Sequence, residues 1–553
     1  MRAFLRSRAR QGVAVLFIGH LMSQSAAAEP PKLEALFPAG GQIGSSFVLS
    51  ASGKLEADAR LWTDAPGVFL VPNGKKREWQ TTITAEAKPG VYLVHASNAD
   101  GASEPRWFSV GAFAEIAEIE PNDQMGKGQP LEKLPVCVNA RLDKGGDIDG
   151  YTVKLAAGQT LVGMVEAYSI GSGVDMIAHI VDEQGVRVHT ASDSRNLDPT
   201  IIFKAPKAGN YTVQLAGFAH PPLADVRFAG AATTVYRLHL TNGPAVTQIY
   251  PAVVAATGKT EVELIGHNLD PKKLKYTVDA AQIRRDGDVG LIAPPGFVLP
   301  IQTLITAKPA TGEKEPNNTK EQATPMQPGA IGGRISDKAD VDRFAITMKK
   351  GDKLQARVLS KRLGMPLDAL LKIEGPDGKL ITSADDQSEQ MPDPQALWTA
   401  AVDGAHQVIV EDLFHQGGSD KAYVLEIALP APAYEVTLAD AKPITLAAGK
   451  TISVKATVKL LNGFKEPLVT RVANLPAGVH AAEISVPDKG GEVEIKLQAA
   501  ANAAAGGQAI SITVWTKTEA ALMQSAKGLL RGESLRGTSL LDNSSKIWLT
   551  VKP

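Results

Sequence analysis

Apolar and polar residues alternate along many short stretches of this chain, and turn residues separate one stretch from the next. The alternation is clear at residues 47–50, 90–95, 211–215 and 260–264, which are rich in β-branched and aromatic residues. It places every second side chain on the same face, as a half-buried strand requires. Short strands at spacings of about 8–12 residues indicate sandwiches. We therefore predict an all-β fold of tandem β-sandwiches, with the best helix candidate at residues 519–530.

The chain also contains a long internal repeat. The segment Glu118-Ile-Glu120-Pro-Asn122-Asp123 recurs as Glu313-Lys-Glu315-Pro-Asn317-Asn318, at an offset of 195 residues. Asp147-Ile-Asp149 recurs as Asp340-Val-Asp342, at an offset of 193. Several markers at nearly one spacing indicate two copies of one domain.

The segments that precede the two copies match each other more faintly. Phe37-Pro38 pairs with Tyr250-Pro251 at an offset of 213. The duplicated unit is therefore a small domain followed by a larger one, and a fifth segment without a counterpart comes last. The predicted division is a signal peptide at 1–28 and domains at 29–112, 113–243, 244–310, 311–431 and 432–553.

The first residues predict export. Four arginines lie within the first ten residues, an apolar stretch covers residues 12–22, and Ala26-Ala27-Ala28 precedes Glu29. A basic start, a short apolar core and small residues at the end are typical of a secretory signal peptide. The apolar core is shorter than the roughly 20 residues of a membrane-spanning helix, so we expect no transmembrane segment in the mature chain. The predicted location is the periplasm, the cell surface or the extracellular space.

Charge and cysteine content narrow the range of possible partners, cellular locations and activities. The formal net charge is −1, so no global field attracts nucleic acid. The single cysteine, Cys137, excludes intrachain disulfides, which favours a bacterial envelope. We interpret Cys137 as a small buried hydrophobe, because the sequence shows no base for a catalytic thiol. No His-Glu-X-X-His or Gly-X-Ser-X-Gly segment occurs, and we predict that the protein is not an enzyme.

The acidic segment at the start of each repeat is the candidate metal-binding site in this sequence. Calcium takes six to eight oxygen ligands, often from carboxylates that a short loop brings together. The alternative interpretation is a turn and cap before the first strand, a role that Asn and Asp often take. The candidate oxygen donors in the two entry segments are Glu118, Glu120, Asn122 and Asp123 in the first copy, and Glu313, Glu315 and Asn317 in the second.

The two larger domains resemble the bacterial pre-peptidase C-terminal (PPC) domain. The matching residues of the first copy are Glu120-Pro-Asn122-Asp123, Gly146-Asp147-Ile-Asp149-Gly-Tyr151 and Gly209-Asn-Tyr211. In the second copy they are Glu315-Pro-Asn317-Asn318, Asp340-Val-Asp342-Arg-Phe344 and Asp403-Gly404. The resemblance implies a jelly-roll-like β-sandwich that accompanies secreted peptidases. It also implies that the acidic segment binds calcium together with a later Asp, which would be Asp147 or Asp149 here and Asp340 or Asp342 in the second copy.

The remaining domains resemble immunoglobulin-like folds. The third is similar to TIG domains through its Tyr250-Pro start and Gly266-His-Asn268-Leu269, and the first matches more weakly through Phe37-Pro38. The last segment, with Asn474-Leu-Pro-Ala-Gly478, resembles immunoglobulin-like domains of secreted glycosidases.

Two functions stay open at this stage. The first is a non-catalytic binding or scaffold protein of the bacterial envelope, with an extracellular or periplasmic protein or polysaccharide as its partner. The second is an accessory or degenerate subunit of a secreted peptidase or glycosidase that is encoded elsewhere. The sequence leaves the oligomeric state open.

Overall fold

A computed structural model of the chain describes residues 29–124, 128–222, 227–387, 392–517, 523–530 and 543–553. The predicted signal peptide lies outside these residues. The described chain is built from β-strands and three short 3₁₀ helices, and no α-helix occurs in it. The all-β prediction is confirmed: the strands form tandem β-sandwiches, labelled I to V below in chain order.

Sandwich I consists of two facing sheets, with strand orders β1-β3-β6-β5 and β2-β9-β7-β4 and with β8 paired to β7. Its core includes Leu49, Trp79, Val94 and Phe108. The strands are β1 (Lys32–Phe37), β2 (Gly40–Gln42), β3 (Ser46–Lys54), β4 (Arg60–Thr63), β5 (Val68–Pro72), β6 (Glu78–Ile83), β7 (Gly90–Asn98), β8 (Gly101–Ala102) and β9 (Arg106–Gly111).

Sandwich II has the strand orders β10-β12-β20-β14-β18-β17 and β11-β13-β19-β15-β16. Its strands are β10 (Ala114–Ala117), β11 (Gln129–Pro130), β12 (Val136–Arg141), β13 (Asp149–Leu155), β14 (Thr160–Glu166), β15 (Val174–Asp182), β16 (Arg187–Ala191), β17 (Asp193–Arg195), β18 (Asp198–Lys204), β19 (Gly209–Ala219) and β20 (Val235–Thr241), with a 3₁₀ helix at Tyr168–Ile170.

Sandwich III is smaller, with the strand orders β21-β23-β24 and β22-β27-β26-β25. Buried and exposed side chains alternate along the first part of β23, since successive residues of a strand point to opposite faces. The sequence Thr-Glu-Val-Glu-Leu follows this alternation. The strands are β21 (Ala245–Tyr250), β22 (Val253–Ala255), β23 (Lys259–His267), β24 (Lys275–Asp279), β25 (Arg284–Asp286), β26 (Val289–Ile292) and β27 (Ile301–Thr306), with a 3₁₀ helix at Ala280–Gln282.

Sandwich IV repeats the topology of sandwich II, with the strand orders β28-β30-β37-β32-β35 and β29-β31-β36-β33-β34. The repeated Asp198 and Asp393 have the same role in both, since each carboxylate accepts three backbone N–H groups, one from the residue before the 3₁₀ helix and two from the first two residues of the helix. The elements are β28 (Thr311–Gly312), β29 (Thr324–Pro325), β30 (Gly329–Arg334), β31 (Asp342–Met348), β32 (Lys353–Leu359), a 3₁₀ helix (Lys361–Leu363), β33 (Ala369–Glu374), β34 (Leu380–Ala384), β35 (Gln395–Thr399), β36 (Gly404–Asp412) and β37 (Ala422–Ala428).

Sandwich V has the strand orders β38-β40-β44-β42 and β39-β49-β45-β41-β43, with β46 paired to β45 and a separate β47-β48 pair. Its strands are β38 (Ala433–Leu438), β39 (Ile444–Ala447), β40 (Thr451–Leu461), β41 (Leu468–Ala473), β42 (Val479–Ala481), β43 (Ile484–Ser485), β44 (Gly491–Ala499), β45 (Gly506–Thr516), β46 (Met523–Ser525), β47 (Gly528–Leu529), β48 (Asn543–Ser544) and β49 (Ile547–Lys552).

The helix predicted at residues 519–530 is wrong over its described part. Residues 523–525 pair antiparallel with Thr513–Trp515 of β45, and residues 528–529 pair with β48. Residues 518–522 lie outside the described residues. Pairing with a long neighbouring strand overrides the local preference, as tertiary contacts often do.

The sandwiches contact one another through the outer faces of their sheets. On β20, the alternate residues Tyr236, Leu238 and Leu240 face the core of sandwich II, yet every residue of the strand is buried. Its outer face is covered because β9 of sandwich I lies against it, and the Arg237 guanidinium donates to Ser109 O. Sandwich V also contacts sandwich I, where Trp548 and Trp62 have ring centroids 5.2 Å apart.

Candidate metal centres and a buried ionic cluster

The first acidic cluster lies at the entry to sandwich II. One carboxylate oxygen from each of Glu120, Asp123, Asp147 and Asp149 lies within 4.8 Å of the others. Two ligands on opposite sides of one calcium ion are about 4.8 Å apart, since each bond is about 2.4 Å long. The four carboxylates can therefore surround a single calcium ion.

Asp149 is a fully buried member of this first cluster. Asp149 is 0% exposed, and the Tyr236 hydroxyl donates a hydrogen bond to its Oδ2. Oδ1 is buried and has no hydrogen-bond donor among the described residues. Burial, together with repulsion from Glu118, Asp147 and Glu120, raises the pKa of Asp149 to about 9 against the opposing Tyr236 bond. When Asp149 is ionised, its buried Oδ1 therefore has no donor, and a bound cation would supply the missing partner.

Glu118 flanks the cluster. Its Oε1 accepts the Arg141 N–H at 2.7 Å, and Tyr151 OH lies 3.5 Å from Oε2. Burial raises the pKa of Glu118 to about 8, with repulsion from Glu120 adding to the effect. Glu118 is thus predicted as a ligand by sequence but stands outside the group of four, where it binds the backbone of β12.

Part of the first entry segment does act as a turn. Asn122 is 2% exposed, its N–H donates to Glu120 Oε2 at 3.0 Å, and its Oδ1 accepts Gly150 N–H at 3.3 Å. Asp147 Oδ2 accepts Asp143 N–H. These bonds leave other carboxylate oxygens of Glu120 and Asp147 for a ligand. The turn and the metal interpretations are therefore compatible at this segment.

A basic side chain reaches the rim of the first cluster. Lys144 Nζ lies 3.9 Å from Asp123 Oδ2 and 4.0 Å from Asp147 Oδ1. The Lys144 side chain is 71% exposed, so this pairing is weak and screened by solvent.

The second acidic cluster, at the entry to sandwich IV, has fewer charges. Oxygens of Glu313, Glu315 and Asp342 lie within 4.8 Å of one another. Burial, with repulsion from Asp342, raises the pKa of Glu313. Burial, with repulsion from Asp340 and Glu315, raises the pKa of Asp342 against the opposing contacts with Glu313 and Tyr423. Asp340, also predicted as a ligand, stands outside this group, and its Oδ2 accepts Ser336 N–H at 2.6 Å.

Residues of the second cluster and its neighbour Asn317 also have buried oxygens without donors. Tyr423 OH donates to Asp342 Oδ2, while Asp342 Oδ1 has no donor among the described residues. Asn317 is 0% exposed, its Nδ2 donates to Glu313 Oε2 at 3.3 Å, and its Oδ1 is also unpartnered. An amide oxygen and a carboxylate oxygen without donors form an oxygen-rich donor set that suits calcium.

Sequence reasoning missed the two tyrosines that hold the buried aspartates. Tyr236 and Tyr423 occupy the same position in β20 and β37, which pair with β12 and β30 respectively. The repeat Tyr236-Arg-Leu-His-Leu and Tyr423-Val-Leu-Glu-Ile is visible in the sequence and was the available signal.

A separate ionic cluster is buried between sandwiches I and II. Arg237 is 0% exposed, and its guanidinium donates to Glu115 Oε1, to Ser109 O at 2.6 Å and to Cys137 Sγ at 3.4 Å. Its Nη1 lies 3.8 Å from Glu166 Oε2. Burial would lower the pKa of Arg237, but Cys137, Glu115 and Glu166 raise it.

His239 is the base near Cys137 that the sequence did not reveal. Its Nε2 lies 3.8 Å from Cys137 Sγ and 2.9 Å from Glu166 Oε2. Burial would lower the pKa of His239, but Cys137 and Glu166 raise it to about 9. Burial would raise the pKa of Glu166, but His239 and Arg237 lower it to about 2. Cys137 and His239 are 0% and 2% exposed, so a substrate reaches the sulfur only if the sandwiches separate.

Comparison with known proteins gives fold-level likenesses only. No protein-family model matches the chain, and a search of curated proteins gives no match. Similar solved structures include the pre-peptidase C-terminal domain of collagenase from Bacillus anthracis, with 14% identity over 20% of this chain and 100% of that chain, at a TM-score of 0.17. Another is the M60 catalytic domain with two CBM51 domains of Clostridium perfringens ZmpB, with 11% identity over 72% of this chain and a TM-score of 0.17.

The match with the ZmpB structure covers 46% of the length of the ZmpB chain. A tandem repeat of a large adhesion protein is also similar, with 10% identity over 89% of this chain and 98% of that chain, at a TM-score of 0.12. TM-scores this low carry no argument about activity or partners. In the described part of the chain, no helix has the length and apolar character needed to span a bilayer.

Proposed function

We propose that this chain is an exported, non-catalytic binding or scaffold protein whose two PPC-like sandwiches are each stabilised by a calcium ion. The observation that supports calcium is the first cluster, where four carboxylate oxygens lie within 4.8 Å of one another and one of the four residues, Asp149, has a buried Oδ1 without a donor. Bound calcium would supply positive charge to these carboxylates and to the buried oxygens that lack donors.

The two sites differ in charge. The first cluster brings together four carboxylates and the second brings together three. Asn318 stands where the first repeat has Asp123, and Asp340 lies outside the second group. Glu313, in contrast, belongs to the second group, although its counterpart Glu118 does not belong to the first. Affinity of oxygen-ligand sites rises with the number of carboxylates when the geometry is similar. The first site therefore binds calcium more tightly than the second.

The non-catalytic part of the proposal rests on accessibility. The one constellation of thiol, imidazole and carboxylate, Cys137 with His239 and Glu166, is buried, and Cys137 packs against residues of sandwich III such as Ala245 and Leu299. Casein, gelatin and common polysaccharides should therefore stay intact with the purified mature chain, and turnover that disappears on Cys137→Ala would contradict this.

The partner class follows from the architecture of repeated sandwiches and the predicted export: an extracellular or periplasmic protein or polysaccharide. Affinity capture from the native envelope tests it. Stable recovery of such a partner without hydrolase activity supports the scaffold role. A co-purifying peptidase or glycosidase would instead favour the role of an accessory subunit.

Calcium is tested by calorimetric melting of the mature chain, residues 29–553, in calcium and in chelator. A ligand that binds only the folded state at a hundredfold excess over its dissociation constant adds about 2.7 kcal/mol, which raises the melting temperature by several degrees. Glu120→Gln should remove most of the rise in the transition of sandwich II. The exposed Glu132→Gln, in the same sandwich, is the matched control and should leave it unchanged. Identical curves in calcium and chelator would contradict the site.

A further inference from the structure

The second acidic cluster and the contact between sandwiches III and IV meet on one strand, β30. Tyr250, the last residue of β21 in sandwich III, donates from its hydroxyl to Gly332 O at 3.0 Å. The guanidinium carbon of Arg334, at the end of β30, lies 4.8 Å from the centre of the Tyr250 ring. Gly332 and Arg334 therefore take part in the contact from the side of sandwich IV. The contact also includes the ion pairs of Arg357 and Arg362 with Asp288.

The acidic cluster holds the same two residues from the other side. Glu313 N–H donates to Gly332 O at 2.8 Å, so this carbonyl accepts from both Glu313 and Tyr250. Glu313 Oε1 accepts Arg334 N–H at 2.6 Å. The end of β30 is thus held between a carboxylate of the cluster and a tyrosine of the neighbouring sandwich.

There is little room for β30 to move independently of sandwich III. A Cβ atom on Gly332 would lie 2.6 Å from Pro251 Cβ, which shows how closely the two backbones approach. A displacement of Glu313 that carries β30 with it must therefore also displace Pro251 or Tyr250.

The first duplicated unit shows the same arrangement. Glu118 N–H donates to Asn139 O at 3.0 Å, and Glu118 Oε1 accepts Arg141 N–H at 2.7 Å. The Arg141 guanidinium lies over the Phe37 ring of sandwich I, 3.8 Å from its centre. Phe37 matches Tyr250, Asn139 matches Gly332 and Arg141 matches Arg334, so the arginine part of the link occurs twice, whereas Phe37 has no hydroxyl to donate as Tyr250 does.

We propose that cation binding at each acidic cluster is thermodynamically coupled to the docking of the preceding immunoglobulin-like sandwich, through Arg334 and Gly332 in the second unit and Arg141 in the first. The inference rests on the proposed calcium sites. Besides the clustered carboxylates, the buried and unpartnered Oδ1 atoms of Asn317 and Asp342 indicate a ligand at the second cluster. Coupling is reciprocal, so a weaker contact with sandwich III must weaken calcium binding although no ligand is altered.

The test is calcium titration calorimetry on the mature chain carrying Glu120→Gln and Asp123→Asn, so that the isotherm reports the second site. Tyr250→Phe removes the hydroxyl that donates to Gly332 O. We expect an affinity about three- to tenfold weaker, as the loss of one hydrogen bond in a coupled contact implies. Tyr434→Phe is the matched control, because its hydroxyl donates to Val514 O inside sandwich V, which contributes no residue to either cluster. It should leave the affinity unchanged.

Hydrogen exchange gives the reciprocal measurement. In the same background, calcium should slow amide exchange in the segment around Tyr250, which contains none of the carboxylates of the cluster. Equal affinities for Tyr250→Phe and the control, together with unchanged exchange at Tyr250, would overturn the coupling and leave the calcium sites standing. Absence of calcium binding in the wild-type chain would overturn both.

Discussion

Arg237 offers a stringent test of the contact between sandwiches I and II. The change is Arg237→Met, which keeps much of the side-chain volume and removes the charge and all donors. It leaves Glu115 Oε1 and Ser109 O without the guanidinium, and it leaves Glu166 with His239 and Ser109 as partners. The expected result is a large loss of stability.

The magnitude follows from the burial of each partner. Removal of one partner from a buried ion pair costs about 3–5 kcal/mol, because the other charge stays desolvated. The side chains of Arg237 and Glu166 are 0% and 5% exposed, but Glu115 is 13% exposed and retains some water. His239 also continues to neutralise Glu166. We therefore expect the low end of the range, about 3 kcal/mol.

The assay is urea unfolding of the mature chain followed by tryptophan fluorescence, since Trp107 is buried beside this contact in β9. Arg187→Met, at an exposed position of sandwich II, is the control and should change stability by no more than about 0.5 kcal/mol. Adding Glu115→Leu to Arg237→Met should recover part of the loss. A loss for Arg237→Met below about 1 kcal/mol, within the range of ordinary point mutations, would refute the reasoning.

Three further outcomes are expected. Gly40→Ala should destabilise the chain, because its Cβ would lie 1.9 Å from Arg237 Nη1 and 2.1 Å from a backbone oxygen, whereas Gly243→Ala, with its nearest atom at 3.7 Å, should be tolerated in the same melting assay. The raised pKa of His239, about 9 against about 6.5 when unfolded, contributes stability below pH 6.5 that is lost as the pH rises to 9; the melting-temperature advantage over His239→Gln should therefore shrink across that range, and a constant difference would contradict it. Mass spectrometry of the protein from its native envelope should find a first residue at or near Glu29, and recovery of intact Met1 would count against export.

The sequence was sufficient for the strands and the repeat because both depend on local patterns. Alternation predicted the strands β3, β7, β19 and β23, and the spacing of the paired motifs predicted the duplication that appears as the common topology of sandwiches II and IV. The acidic clusters could also be predicted, since two aspartates follow each entry segment at intervals that differ by only two residues. The helix at 519–530 failed because β45 pairs with residues 523–525, a contact that no local pattern encodes.

The buried ionic cluster could not be predicted from local pattern for a different reason. Arg237 and His239 alternate with the core residues of β20, which is the pattern of a strand with one solvated face. That face is covered by sandwich I, and the contact depends on how two sandwiches are placed. Similarly, Cys137 was correctly expected to be buried, but its neighbours come from a strand about 100 residues away.

The central claim is that calcium occupies the acidic clusters, and a crystal structure of the mature chain grown with calcium tests it most directly. We expect an ion among Glu120, Asp123, Asp147 and Asp149, with six to eight oxygen ligands at about 2.3–2.6 Å, including Oδ1 of Asp149. Anomalous scattering would identify the ion as calcium. A structure at saturating calcium in which Lys144 or water fills this space instead would contradict the claim.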